Sequence, residues 1–229
     1  LFNLSNIGID AAGGYEYVDI PVDPALNYAR NGTIISNIVS NWMPPFGGLD
    51  VPAGIYVDGG QDIVVEYNKV YNYGRGFEIG CEQPGITSNI ILRNNIAAEN
   101  RQAGIGIGGY DYPTNTGYVT DCQVSNNTCY HNSQIGGLFN EGELIIDYTE
   151  NCVIKNNIFY AKNPLGRLLV ANLNTALVPS ESVNLTLDYN LYYVDPFVVG
   201  GSLNVNVEWY DESFIDISFL QYLASVPSQ

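Results

Sequence analysis

Six segments of the chain share one arrangement of apolar and polar positions: Ile34-Ile35-Ser36-Asn37-Ile38-Val39, Val65-Glu66-Tyr67-Asn68-Lys69-Val70, Leu92-Arg93-Asn94-Asn95-Ile96-Ala97, Val124-Ser125-Asn126-Asn127-Thr128-Cys129, Ile154-Lys155-Asn156-Asn157-Ile158-Phe159 and Leu187-Asp188-Tyr189-Asn190-Leu191-Tyr192. Each puts an asparagine three residues after an aliphatic residue. The asparagines recur roughly every thirty residues, within the range that marks a stacked repeat. Two residues before each aligned aliphatic stand Gly32, Ile63, Ile90, Cys122, Cys152 and Leu185. This is the period-two alternation of a strand whose marked side chains point inward.

A second strand follows in each coil: Ile55-Tyr56-Val57, Phe77-Glu78-Ile79, Ile105-Gly106-Ile107, Leu144-Ile145-Ile146 and Leu168-Leu169-Val170. Its outer members are expected inside and its middle member outside. Stacking such coils in parallel predicts aliphatic ladders in the interior and an asparagine ladder at the bend between strands. The fold class is therefore all-β, a right-handed parallel β-helix of about six coils, since parallel β connections are overwhelmingly right-handed. A leucine-rich repeat has a shorter period and a leucine signature missing here. A propeller blade of four antiparallel strands would not place a single asparagine bend in each repeat.

No linker or second hydrophobic block divides the chain, so it reads as a single domain of 229 residues. Residues 1–29 form an irregular or incomplete first coil, 30–195 the coils, and 196–229 a C-terminal cap. Within that cap, Ser213 to Ala224 sets Phe214, Ile217, Phe219, Leu220 and Leu223 on one side, which predicts a short amphipathic helix covering the open end of the stack.

The segments Asn156-Asn157-Ile158-Phe159-Tyr160 and Gly54-Ile55-Tyr56-Val57-Asp58-Gly59-Gly60 resemble the right-handed β-helix repeat family of the pectate-lyase-like superfamily, over roughly residues 30 to 195. The resemblance implies the fold and a secreted or cell-surface location. It also implies polysaccharide or oligosaccharide partners, bound in a groove along the helix flank. Lyases, glycoside hydrolases, epimerases, phage spikes and adhesins share that fold, so function rests on the site. The Asn-Thr-Asp and Gly-His-Gly segments of polygalacturonase-type hydrolases are absent here, and no subfamily's catalytic set carries over.

Charge narrows the partners. Against 24 Asp and Glu stand 8 Lys and Arg, a net charge of −16 with no basic patch. Phosphate backbones and anionic lipid surfaces are repelled. No apolar run approaches the roughly 20 residues of a membrane-spanning helix, so membrane insertion is not expected. Neutral glycans, cations and other proteins stay open.

The outward positions of the second strand change from coil to coil: Tyr56 and Asp58, then Glu78, then Gly106 and Gly108, then Ile145 and Asp147. Asp58 and Glu78 are diagonal neighbours with Cβ atoms about 7–8 Å apart, and Glu82 follows the same strand. Glycoside hydrolysis uses two carboxyl groups, about 5–5.5 Å apart for retention or 6.5–9.5 Å for inversion. The expected roles are Glu78 as acid, Asp58 as base or nucleophile, and Glu82 beside them. The competing reading of these acids is a solvated surface.

Gly104 to Gly109 offers a floor without side chains on which a sugar can approach the backbone. Tyr56, Tyr110, Tyr112, Trp42 and Phe46 are candidates to stack on sugar rings. Arg75 and Arg101 can orient a carboxylate, and Asp111 completes the expected substrate-binding set. No cofactor is required, although a calcium ion can be assembled from Asp58, Glu82, Asp111, Glu141 and Glu143. His131, the single histidine, is read as a surface residue at a bend. Cys81, Cys122, Cys129 and Cys152 are read as inward, with Cys122 and Cys152 stacked either as thiols or as a disulfide. Three functions follow: a glycoside hydrolase, a calcium-assisted lyase or epimerase, and a non-catalytic glycan-binding or adhesive module.

Overall fold

A computed structural model describes residues 1, 4–13, 27–43, 52–82, 85–109, 117–134, 142–161, 167–171, 182–194, 206–209 and 212–214. Coils stack through parallel pairing into a solenoid. One six-stranded sheet runs through Thr33–Ile35, Val64–Glu66, Ile91–Arg93, Gln123–Ser125, Val153–Lys155 and Thr186–Asp188. A second contains Ile38–Ser40, Lys69–Tyr71, Ile96–Ala98, Thr128–Tyr130, Ile158–Ala161 and Leu191–Val194. The long sheet sets Ile9–Ala12, Ala53–Asp58, Arg75–Cys81, Ala103–Gly109, Gly142–Ile146, Arg167–Ala171 and Asn206–Trp209 in parallel order. A fourth, of three short strands, closes the middle coils. No helix among the described residues is long and apolar enough to cross a membrane.

The corners explain the polar half of the repeat. Asp62, Tyr67 and Asn72 in one coil, Asn89, Asn94 and Glu99 in the next, and Asp121, Asn126 and His131 in the third all lie at φ of 51–58°. Within each coil these left-handed residues are five positions apart, and each turns the chain between short strands. Asparagine and aspartate tolerate this conformation better than other non-glycine residues, which accounts for their density at the corners.

Immediately after the middle corner comes the inward asparagine. Asn37, Asn68, Asn95, Asn127, Asn157 and Asn190, separated by 31, 27, 32, 30 and 33 residues, are joined amide to amide at 3.0–3.1 Å. Asn127 shows the full pattern: its Nδ2 donates to Asn157 Oδ1 and to the Leu92 carbonyl, while its Oδ1 accepts from the backbone and side-chain nitrogens of Asn95. All four valences of the amide are used. The carbonyl it reaches belongs to the aliphatic residue of the preceding coil, three positions before that coil's own asparagine, hence the spacing in the motif.

Around this column the apolar ladders close: Val65, Leu92, Val124 and Ile154; Ile55, Phe77, Ile105 and Leu144; Val70, Ala97, Cys129 and Phe159 are all essentially inaccessible. The four cysteines are buried free thiols, so Cys122 and Cys152 take the reduced alternative.

A shorter polar column lies at the entrance to the long sheet. Asn100 donates its backbone and side-chain N–H groups to Asn132 Oδ1, and Asn132 donates likewise to the two carboxyl oxygens of Glu143, at 2.8 and 2.6 Å. Gly54, Gly76 and Gly104 precede Glu143 in that row. A Cβ on Gly76 would lie 2.3 Å from the Gly104 carbonyl oxygen, and one on Gly104 would lie 2.6 Å from that of Glu143. Glu143 is thus an interior residue, which removes it from the surface acids from which a calcium site could be assembled. Burial raises its carboxyl to about 8, against the hydrogen bonds from Asn132.

Three further expectations are corrected. Glu212–Phe214 is a strand antiparallel to Asn206–Trp209, so Ser213 and Phe214 do not begin a helix; residues 215–224 of that expected helix lie outside the described residues. Leu144 pairs with Leu169 and Ile146 with Ala171, one residue beyond the alignment read from Leu168; several consecutive apolar residues make that segment's parity ambiguous. His131 is 8% exposed and stacked on Tyr130 at 3.7 Å, because its corner turns the ring against the neighbouring coil.

Asn127→Asp keeps the size of the side chain but deletes two donors and adds a buried charge; about 3 kcal/mol or more of stability is expected to go, at about 1–3 kcal/mol per unsatisfied group. The exposed neighbour Asn126→Gly should change stability by less than about 1 kcal/mol, and urea unfolding at 25 °C compares the two. The raised Glu143 carboxyl gives a second test. Its protonated form favours the fold, so its contribution is whole below its ordinary value of 4.5 and lost as pH rises through about 8. Thermal unfolding across that window should show a shallower decline for Glu143→Gln than for the wild type.

Candidate functional site

The outward face of the long sheet carries the densest charge chemistry of the described residues. Strand register sets two columns. In one, Asp10, Tyr56, Glu78, Gly106 and Ile145 succeed each other along the axis. In the other, Ala12, Asp58, Gly80 and Gly108 do so, and Asp147 follows, held by its N–H bond to the Ile107 carbonyl at 2.9 Å. Alternation along each strand sends Ile55, Val57, Phe77, Ile79, Ile105 and Ile107 inward.

At the start of this face the acids crowd. Asp58 is 1% exposed, and its Oδ1 accepts the backbone N–H of Glu82 at 3.0 Å. Tyr56 is 4% exposed, and its hydroxyl donates to Glu82 Oε1 at 3.5 Å. The Tyr56 ring lies across Gly80, where a Cβ would come 2.8 Å from the tyrosine oxygen. Burial raises the Tyr56 hydroxyl, and Glu78 adds to the effect. Asp10, exposed in area but hemmed in by acids, is lifted to about 6 by desolvation, then by Asp58, Glu82 and Glu78. Glu82 is raised by desolvation and by Asp58.

The second half of the face is a small pocket lined by Arg75, Glu78, Gly106, Gly108, Ile145 and Asp147. Arg75 is fixed at both ends of its guanidinium: Nε donates to Gln102 Oε1 at 2.6 Å and Nη1 donates to Glu78 Oε1. Asp147 lies within the field of both Arg75 and Glu78. Burial lifts its carboxyl to about 6, opposed by Arg75 and assisted by Glu78. Gly106 contributes no side chain to the gap, and Gly108 at φ 149° is packed under Asp147, where a Cβ would lie 2.5 Å from the aspartate Cβ. Two acids thus face a floor without side chains, beside one half-buried cation.

Of the residues expected from sequence, Tyr56, Asp58, Arg75, Glu78 and Glu82 meet on this face. Two of them meet it in other roles: Tyr56 is too enclosed to stack on a sugar, and Asp58 is turned to the Glu82 backbone and not toward the pocket. Arg101 is elsewhere, its guanidinium 5.0 Å above the buried Trp42 ring, which takes Arg101 from the carboxylate-orienting pair and Trp42 from the stacking set. Phe46, Tyr110, Asp111, Tyr112 and Glu141 lie outside the described residues. Among the described residues no three His, Cys, Asp or Glu side chains come together to hold a metal ion.

Asp147, Gln102 and Asp10 were not in the expected set. Asp147 had a signal, since it follows Leu144-Ile145-Ile146 as Asp58 follows Ile55-Tyr56-Val57. Asp10 lies in Ile9-Asp10-Ala11, the same alternation without an asparagine bend to announce it. Nothing in the local sequence of Gln102 predicts its bond to Arg75, which depends on the contact between neighbouring coils.

Comparison with known proteins agrees with this architecture. The chain is 34% identical over 197 residues to the uncharacterized protein YwoF of Bacillus subtilis (strain 168), an alignment covering 83% of this chain and 39% of that protein. This chain therefore spans about two fifths of the relative's length. No solved structure matches it significantly. The model of the right handed beta helix region matches residues 25–193, and with the stacked parallel coils and continuous asparagine column it establishes that the chain belongs to the right-handed β-helix family.

Proposed function

We propose that this chain is a glycoside hydrolase of the inverting kind, acting on an oligosaccharide or polysaccharide laid along the long-sheet face. The observation that carries the reading is the opposition of Glu78 and Asp147 across Gly106 and Gly108, with Arg75 beside them. Their strands are two rungs apart, roughly 10 Å at about 4.8 Å per rung. Asp147 is also offset from Glu78 by two residues along the strand, roughly 7 Å, so the two side chains must lean toward each other across the glycines to reach the separation of about 6.5–9.5 Å that leaves room for a water on the far side of the sugar.

In this mechanism Asp147 protonates the leaving glycosidic oxygen while Glu78 removes a proton from the attacking water. The C–O bond to the leaving sugar breaks as the bond from water forms. A carboxyl lifted to about 6 keeps a substantial protonated fraction at weakly acidic pH, which suits a general acid. Arg75, itself anchored on Gln102, holds Glu78 by one oxygen and leaves the other for water. Asp58 is assigned the support of the Glu82 backbone.

Assays on a panel of unbranched polysaccharides, with product anomers followed by NMR, test this reading. Glu78→Gln and Asp147→Asn should each lower turnover by about 10²-fold or more, and products should appear with inverted configuration. Because the acid form of Asp147 is the active one, wild-type turnover should fall as pH rises through about 6. Asp147→Asn should lose that limb. Full activity in both variants overturns the assignment, while loss of activity with chelator would favour a calcium-assisted lyase or epimerase.

A further inference from the structure

The second short-strand sheet presents a different surface. Its middle residues, including Val39, Val70, Ala97, Cys129 and Phe159, point inward. Register aligns the outward residues into two columns. One holds Ile38, Lys69, Ile96, Thr128, Ile158 and Leu191; the other holds Ser40, Tyr71, Ala98, Tyr130, Tyr160 and Tyr193. Ile38, Ile96, Ile158 and Leu191 are 40–58% exposed, and Tyr71, Tyr130 and Tyr193 are 37–45% exposed. None of the 24 acidic residues lies on these six strands. In a chain of net charge −16, this stripe carries a single Lys69.

The tyrosines are held in place before any ligand arrives. Tyr130 and Tyr160 meet edge to face with centroids 5.1 Å apart, and Tyr160 and Tyr193 do so at 4.7 Å. Behind them the His131 ring stacks on Tyr130 and meets the edge of Tyr160 at 4.9 Å. Rings fixed this way lose little freedom on binding. The corner residues Asn94, Asn126 and Asn156 run beside the isoleucine column and supply uncharged amide groups.

From these observations we infer that the stripe is a second binding surface, separate from the long-sheet face, for an extended neutral oligosaccharide. Three properties select that ligand. Its strands carry no acid and a single base, and Glu99 at the adjoining corner is turned to His131 Nδ1 at 3.5 Å, so an ionic partner finds few groups to pair with. It combines aromatic rings with hydroxyl and amide groups, matching a sugar's apolar ring faces and its hydroxyls. It is also periodic along one axis with a step of about 4.8 Å, close to the advance per sugar of an extended glycan. Among folded protein surfaces only another β-stack, such as a second copy of this chain, repeats at that step. The inference does not require catalysis on the long sheet.

Calorimetric titration with cellohexaose, xylohexaose and mannohexaose, and with hexagalacturonate as the anionic probe, tests it. At least one neutral hexasaccharide should bind the wild type, and hexagalacturonate should not bind this surface. Tyr130→Ala/Tyr193→Ala should bind that sugar about tenfold or more weakly, whereas Glu78→Gln should bind it as the wild type does. Should the double variant not fold, chemical-shift changes in the wild type must map to Tyr71, Tyr130, Tyr160 and Tyr193. Absence of binding to every neutral probe overturns the inference, as does binding unaffected by the tyrosine changes or shifts confined to the long-sheet face. Sedimentation showing wild-type self-association that the double variant abolishes would assign the stripe to a second copy of the chain and overturn it as well. Loss of hydrolysis without loss of this binding would bear on the long-sheet reading alone.

Discussion

A primary amide buried inside a β-solenoid has two donors and two acceptor positions, and no water to satisfy them. Asn68, Asn95, Asn127 and Asn157 meet that demand only because each coil delivers its asparagine directly under the next, with an aliphatic carbonyl in reach on the preceding coil. A shift of one residue in any coil would orphan several buried groups together, at about 1–3 kcal/mol each. The asparagine column therefore acts on register, and register in turn aligns every other ladder: the interior aliphatics, the tyrosine stripe and the acids of the long sheet.

Glycine shapes the long sheet by a complementary rule. At Gly76 and Gly104 the backbone passes too close to the next coil for a Cβ and at Gly54 the Val70 side chain fills the space, whereas the equivalent Glu143 sends a carboxyl into the interior and ends the Asn100–Asn132 column. At Gly106 the missing side chain leaves space between Glu78 and Asp147, while Gly108 lets Asp147 pack directly over it. The same residue type closes the interior on one side of the wall and opens a cavity on the other. A repeat whose every coil carried Ile or Val at these outward positions would keep its core and have no site.

The two faces also divide the electrostatics. Acids on the long sheet raise one another, as Asp10 and Asp147 show, both lifted to about 6 with desolvation the largest cause. The strands of the tyrosine stripe are uncharged apart from Lys69, with Glu99 turned to His131 at their corner. Since every outward column is a sampling of one position from each coil, charge can be concentrated along one wall and withheld from another without disturbing the shared interior.

Sequence by itself determined the coil: the aliphatic-to-asparagine spacing, the inward parity of Ile55, Val57, Phe77 and Ile79, and the column of Asn37 to Asn190 all rest on local alternation and on a buried amide's need for partners. It also placed Asp58, Glu78, Glu82, Tyr56 and Arg75 on one wall, because adjacent coils repeat. Tertiary structure decided what each of them faces. Asp58 turns to the Glu82 backbone, Arg101 covers Trp42, Glu143 enters the interior, and Asp147 joins Glu78 from two rungs away. Parity is a property of one strand and survives in a local pattern, whereas burial and partnership depend on how far each side chain reaches across coils separated by about thirty residues.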